Sequence, residues 1–222
     1  MKDVLPEQVI RILGDRFAAG VANAEAHYNL HAADEDAVTG GLGQSLAICE
    51  PIEIVSNSKR YQISISYRKV RGRGPRAPEK LYGTDGLIQL LVKDIADNIA
   101  ATKGLPFQSK MKWRGKDQKL YEQAGHMQER ISGGIVIDFN PVKYMACTTK
   151  AAYTCEGDRK TADKYGCMRS LGRILAQDFL NCSIGRRGLY FDIDNESFDT
   201  DINWDFKSLH LISTTVSTNR NG

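Results

Sequence analysis

Two apolar stretches near the middle of the chain carry polar side chains where a core strand is ordinarily apolar. Residues 82–92 read YGTDGLIQLLV and residues 104–113 read GLPFQSKMKW. Asp85 opens the first apolar run. Gln108 and Lys110 sit two apart in the second, so on a strand they share a face, while Phe107, Ser109 and Met111 point the other way. A chain that buries such strands must give their polar groups partners, because an unpaired polar group in a core costs about 2–7 kcal/mol. If 87–92 and 105–111 pair as a hairpin, Asp85, Gln108 and Lys110 come together near one edge of one face. A carboxylate and an amide oxygen at a strand end suit a hard cation. A lysine beside them can orient an attacking water and offset negative charge that builds on a phosphorane.

The segment before the sheet offers a fourth member. With Val38, Leu42 and Leu46 as the buried seam of a helix, Glu35 falls within about 20° of the seam direction at 100° per residue, whereas Asp34 lies roughly 80° and Asp36 roughly 120° away. Of the three acids in DEDAV, Glu35 is therefore expected to face the sheet. His31 and His27 precede it at steps of four and are expected mainly as packed, hydrogen-bonded groups, with His31 a candidate helper.

The order of elements supports an α/β chain. Residues 5–33 carry Val9, Ile10, Leu13 and Phe17 at helical spacing after Pro6, and a second helix extends to Ile48. EIVSN, RYQISISYRKV, DGLIQLLV and LPFQSKMKW read as strands, the second with period two. DQKLYEQAGHMQERI reads as a helix with Leu120, Ala124, Met127 and Ile131 on one face. GGIVIDF is an apolar strand with KYMACTT its expected neighbour. Residues 160–182 read as one amphipathic helix, and the remainder as strands and loops. The expected whole is one domain: N-terminal helices over 5–48, a core sheet with its helix over 50–150, and a C-terminal helix and strands over 160–217, arranged as a central mixed sheet flanked by helices.

Helix glutamate, then aspartate, then a strand bearing Q-x-K, then a helix resembles the PD-(D/E)xK nuclease superfamily, in its Mrr-like and resolvase-like branch where glutamine replaces the strand acid. The pattern covers about residues 24–146. On this resemblance Asp85, Gln108, Lys110 and Glu35 are the catalytic set, with Asp85, Gln108 and Glu35 holding Mg²⁺ or Mn²⁺, and the fold is restriction-endonuclease-like. The implied activity is metal-dependent hydrolysis of phosphodiesters, in DNA before RNA, in the setting of prokaryotic restriction or anti-phage defence. It also implies a partner chain, such as a sensor, helicase or ATPase subunit, or homo-oligomerisation. No proline precedes Asp85, the spacer from Asp85 to Gln108 is long for the pattern, and residues 147–222 match nothing in it. Glutamine binds metal more weakly than a carboxylate, which keeps open a rival: a catalytically inactive nucleic-acid-binding or assembly subunit with a nuclease-like fold.

Charge agrees with a polyanion partner. Residues 59–80 hold eight Lys or Arg against one acid and residues 103–119 hold six against one, so these two segments sum to +12 while the rest of the chain sums to −9. Arg71, Arg73 and Arg76 on the Gly/Pro loop RGRGPRAPE, with Lys112 and Arg114, are the expected nucleic-acid contacts. Trp113 is expected as a strand-end anchor, and Gln123 as a second helper at the edge of the site.

Several classes are set aside. No apolar run approaches the roughly 20 residues of a membrane span, and MKDVLPEQVIRILGDRF has no signal-peptide core. The five cysteines form no C-x-x-C pair, which favours free thiols in a reducing cytoplasm over a zinc site. TGGLGQSL lacks the lysine of a phosphate-binding P-loop; its glycines are expected to admit close helix–sheet approach. The acidic stretch FDIDNESFDTDIN is not a calcium loop, because the glycine at its sixth position is missing.

Overall fold

The computed structural model describes residues 1–71, 83–195, 197–198 and 208–219. It is a mixed α/β structure. Helices α1 (Glu7–Ala26), α2 (Tyr28–His31) and α3 (Glu35–Leu46) lead into strands β1 (Ile52–Ser56) and β2 (Lys59–Arg71). Strands β3 (Gly86–Lys93) and β4 (Ile99–Met111) follow, then helix α4 (Gln118–Ile131), β5 (Ile135–Phe139) and β6 (Met145–Thr148). The C-terminal third holds α5 (Thr149–Thr154), α6 (Arg159–Lys164), β7 (Arg169–Ser170), α7 (Leu171–Arg173) running into a π-helix (Ile174–Phe179), and the short strands β8 (Arg186–Arg187), β9 (Phe191–Asp192) and β10 (Ser197–Phe198). A long strand, β11 (Ser208–Asn219), comes last.

Among the described residues nine strands form one sheet in the order β1-β2-β11-β3-β4-β5-β6-β7, with β8 beside β4; β9 and β10 pair separately. The last strand is thus an inner one: β11 runs antiparallel to β2 and parallel to β3. The expected hairpin is present. Strands β3 and β4 pair antiparallel with Gly86 opposite Phe107, and β4 pairs parallel with β5. The long spacer between Asp85 and Gln108 is the hairpin itself, which runs out to a turn where Asp94 Oδ1 accepts the N–H groups of Ala96 and Asn98 at 2.8 and 2.9 Å.

The two faces bury different helices. On one, Val9, Leu13 and Phe17 of α1 and Val38, Leu42 and Leu46 of α3 pack on Ile63, Ile65, Ile88, Leu90, Phe107 and Ile137. The seam read from sequence is fully buried. Glycines let α3 settle this low: a Cβ on Gly43 would lie 2.2 Å from the Tyr67 ring, and one on Gly41 2.5 Å from His31. On the other face, Leu120 and Ala124 of α4 pack with Trp113, Val136 and Cys147.

Two expectations fail on helix continuity. Helix 5–33 is interrupted at His27, whose backbone (φ −102°, ψ 12°) leaves the helix while its Nδ1 lies 2.8 Å from the Asn23 carbonyl oxygen. Residues 160–182 are not one helix either. Gly166 takes φ +64°, Arg169–Ser170 joins the sheet edge against Met145–Ala146, and helix resumes only at Leu171. Edge pairing with β6 overrides the amphipathic period there. No helix among the described residues is long and apolar enough to cross a membrane.

Candidate active site

The site begins with a glycine. Gly83 has φ +70°, and a Cβ there would lie 2.3 Å from the Gln123 carbonyl oxygen of α4, so only glycine lets the chain pass under the helix before β3. Thr84 Oγ1 then lies 2.9 Å from the carbonyl oxygens of both Gly86 and Phe107. Asp85 follows, with its N–H donated to Phe107 at 2.9 Å and its carbonyl accepting the His210 N–H at 3.0 Å. The backbone of Asp85 therefore bridges β4 and β11, which holds its carboxylate in place before any ligand arrives.

Gln108 stands opposite Asp85. Its Nε2 donates to Asp85 Oδ2 at 2.6 Å and to the Ser109 carbonyl at 3.2 Å. These two acceptors fix the amide orientation, because a flipped amide would set its oxygen against a carboxylate oxygen. Gln108 is 1% exposed, and its Oε1 is buried with no hydrogen-bond partner among the described residues. The same Asp85 Oδ2 accepts the Ser109 N–H at 2.7 Å.

Lys110 shares the Gln108 face, as its spacing requires. In register Gln108 lies beside Val136 and Lys110 beside Asp138 of β5. The Lys110 ammonium is 3.3 Å from Asp117 Oδ2, with only 13% of the lysine side chain exposed. Asp117 also caps α4, its Oδ1 accepting the Leu120 N–H at 2.9 Å. A single carboxylate thus starts the helix and aims the lysine.

Glu35 reaches the strand from the opposite layer. Helix α3 lies on the Ser109 face, where Thr39 Oγ1 and Ser109 Oγ are 2.9 Å apart, and Glu35 Oε2 accepts the Met111 N–H at 2.9 Å. Its two neighbours have other tasks. Asp34 caps α3 by accepting the Ala37 N–H at 2.7 Å. Asp36 meets His210 Nε2 at 2.9 Å and pairs with Lys69. Burial acts to raise the Asp36 carboxyl, but Lys69 and His210 outweigh it and leave the pKa below its ordinary value. Burial drives His210 below the usual histidine range, and desolvation pushes the Tyr67 hydroxyl up to about 12. The neutral ring then accepts from Tyr67, whose oxygen lies 2.9 Å from Nδ1, and donates from Nε2 to Asp36.

The remaining expected residues divide. Trp113 is buried, with its indole N–H on the Gly157 carbonyl at 3.0 Å, so it anchors the strand end. His31 packs against Gly41. Gln123 is buried at the helix face above Gly83. Lys112 and Arg114 are exposed just beyond β4. Arg71 ends β2, and its side chain lies outside the described residues, as do Arg73 and Arg76.

Sequence reasoning missed Asp117, the Tyr67–His210–Asp36 chain, and a buried pair in which Arg159 Nε donates to Asp138 Oδ2 at 3.0 Å. Asp117 carried a signal, an acid directly before an amphipathic helix. The other two carried none. Among the described residues no group of three or more His, Cys, Asp or Glu is placed to hold a metal ion, so any cation here would depend on an amide oxygen beside carboxylates. Comparison with protein families, curated proteins and solved structures finds no match for this chain.

Proposed function

We propose that the chain is a metal-dependent phosphodiesterase of restriction-endonuclease-like architecture, with DNA as its first candidate substrate and a prokaryotic restriction or anti-phage system as its setting. One observation carries the reading: the buried, unpartnered Gln108 Oε1 beside the Asp85 carboxylate, on the strand face that also bears Lys110. A buried oxygen acceptor without a donor is costly, and a cation would satisfy it. With the Glu35 carboxylate at the end of the same strand, the donors are all oxygen, the kind that Mg²⁺ or Mn²⁺ takes. Asp85, Gln108 and Glu35 would hold such an ion, which when bound supplies Lewis acidity toward a phosphoryl oxygen. Lys110, oriented by Asp117, holds positive charge where a phosphorane becomes more anionic. Lys112 and Arg114 extend that charge along the substrate.

A second reading has its own observation. Where a carboxylate would strengthen the ion site the chain has Gln108, and the amide nitrogen is spent on Asp85. A catalytically inactive nucleic-acid-binding or assembly subunit would tolerate that. Purified protein with plasmid DNA and Mg²⁺ or Mn²⁺ separates the two. The nuclease reading expects nicking or linearisation that EDTA abolishes. Tight binding with no cleavage of DNA or RNA in either metal transfers the conclusion to the binding subunit.

A further inference from the structure

Just past the candidate site, at the C-terminal ends of β4 and β5, a cleft of about 430 Å³ opens between Lys112, Arg114, Asn140 and Arg159, with Trp113 in its wall. Three cations line it against two acids, Asp138 and Asp163. The acids are engaged. Asp138, with 5% of its side chain exposed, accepts the Trp113 N–H at 2.9 Å and the Arg159 Nε–H at 3.0 Å. Asp163 pairs with Nη1 of Arg159. The guanidinium also lies 5.8 Å from the Trp113 ring centre, so its plane is held from several sides, and the N–H groups that Asp138 and Asp163 leave unused lose little freedom when they take an oxyanion.

Two further features prepare the cleft. Asn140 Oδ1 accepts the N–H groups of Val142 and Lys143 at 3.1 and 3.0 Å, which leaves the donor nitrogen of its amide as the group not used by the turn. Lys112 adopts φ +55°, a left-handed conformation that costs a non-glycine residue about 1–2 kcal/mol. Such strain persists where surrounding structure enforces it, commonly at functional sites; here the Lys112 N–H is tied to the Phe139 carbonyl at 2.8 Å.

We propose that this cleft is a phosphate subsite, in which Lys112, Arg114, Asn140 and the fixed fork of Arg159 bind a backbone phosphate of the nucleic acid one or two nucleotides from the phosphate at Lys110. Lys112 lies two residues beyond Lys110, about 7 Å along an extended strand, and a duplex advances about 3.4 Å per nucleotide on each strand. The subsite rests on the nucleic-acid reading above and does not require cleavage.

The test measures binding with catalysis silenced. A fluorescein-labelled DNA duplex is titrated by anisotropy in EDTA, from about 50 to 200 mM salt, against wild type, Lys112→Gln/Arg114→Gln, Arg159→Lys, and a charge-matched control at exposed cations outside the cleft and outside both basic segments, Arg11→Gln/Lys150→Gln. The cleft double variant should flatten the log–log salt slope by about 1–2, whereas the control should leave it unchanged. Arg159→Lys keeps the charge and loses the fork, so affinity should fall several-fold at nearly constant slope; it also loses the Nε–H bond to the buried Asp138, so its melting temperature should fall, and binding is read well below that temperature. Equal effects of the two double variants, a cleft double indistinguishable from wild type, or a wild type that binds no DNA would each overturn the subsite. Cleft-dependent binding by a protein that cuts nothing would sink the nuclease reading and keep the subsite; cleavage with no cleft dependence would do the reverse.

Discussion

Asp85 accepts from the Gln108 amide and Lys110 lies two residues further along the same strand face, yet the two should fail differently when removed. Lys110 is proposed to act where charge peaks, so Lys110→Ala should abolish most cleavage while substrate affinity in EDTA stays within a few-fold. Asp85→Ala should also stop cleavage, but together with Mn²⁺ binding measured by calorimetry. Lys110→Ala opens no apolar cavity and should melt close to wild type, whereas Asp85→Ala leaves the Gln108 amide and the Ser109 N–H without their acceptor and should lose about 1–3 kcal/mol of stability. Cleavage at the wild-type rate by Lys110→Ala would reject the lysine assignment. Thiol chemistry offers a check on the core itself. Burial pushes the Cys147 thiol up to about 12, and only 1% of the residue is exposed. Cys49 is exposed and free. Iodoacetamide at pH 8, read by peptide mass spectrometry, should modify Cys49 early and Cys147 last. The sign for stability follows from the same shift. The folded state keeps its proton longer than the unfolded one, so this thiol's contribution is intact below about pH 8.5 and is lost as pH rises toward 12.

Helix α3 is the element on which the site depends most, since one short helix carries Glu35, Asp36 and Thr39 to the sheet. Its depth is set by Gly43 against the Tyr67 ring. In Gly43→Ala the new methyl would sit 2.2 Å from a ring carbon. Either the helix rises or Tyr67 rotates and loses its bond to His210. The expected loss is about 1–3 kcal/mol, a fall of several degrees in melting temperature for a chain of this size. Proposed catalysis should fall further than stability does, because Glu35 shifts with the helix. Leu42→Ala on the same seam should cost about 2–5 kcal/mol through a cavity, without moving Glu35. Differential scanning fluorimetry beside a plasmid assay distinguishes the two. A Gly43→Ala protein as stable as wild type would mean that the helix–sheet contact is softer than the packing implies.

Across the whole molecule, strand β11 is the keystone. It enters last in sequence and sits between β2 and β3, with Leu209, Leu211, Ile212, Val216 and Thr214 buried. A chain ending at residue 207 would expose both flanking strand edges and the seat of His210. It should lose cooperative thermal unfolding and near-ultraviolet circular dichroism while keeping helical signal. A sharp transition in that truncation would show that β2 and β3 close without β11. Pairing over such separations is slow, so refolding from denaturant should fall toward the millisecond-to-second end of single-domain rates.

Local rules made part of this protein readable in advance. Helical period placed Val38, Leu42 and Leu46 in the core and turned Glu35 toward β4. Period two put Gln108 and Lys110 on one face, and the apolar runs on both sides of residues 94–98 made the hairpin that brings Asp85 opposite Gln108. These depend on neighbours a few positions away, where backbone geometry alone decides which way a side chain points. The expectation of a continuous helix over 160–182 failed because the same local pattern served an edge strand, and only pairing with β6 chose between them. Tyr67 and His210 are 143 residues apart, and Asp36 and His210 are 174. No periodicity links such positions. They meet because β11 takes an inner place in the sheet, and that choice belongs to the burial of whole faces. The direction from which Glu35 arrives was decided at the same level. Its helix packs against the face opposite Gln108, and the carboxylate meets the strand at the Met111 backbone.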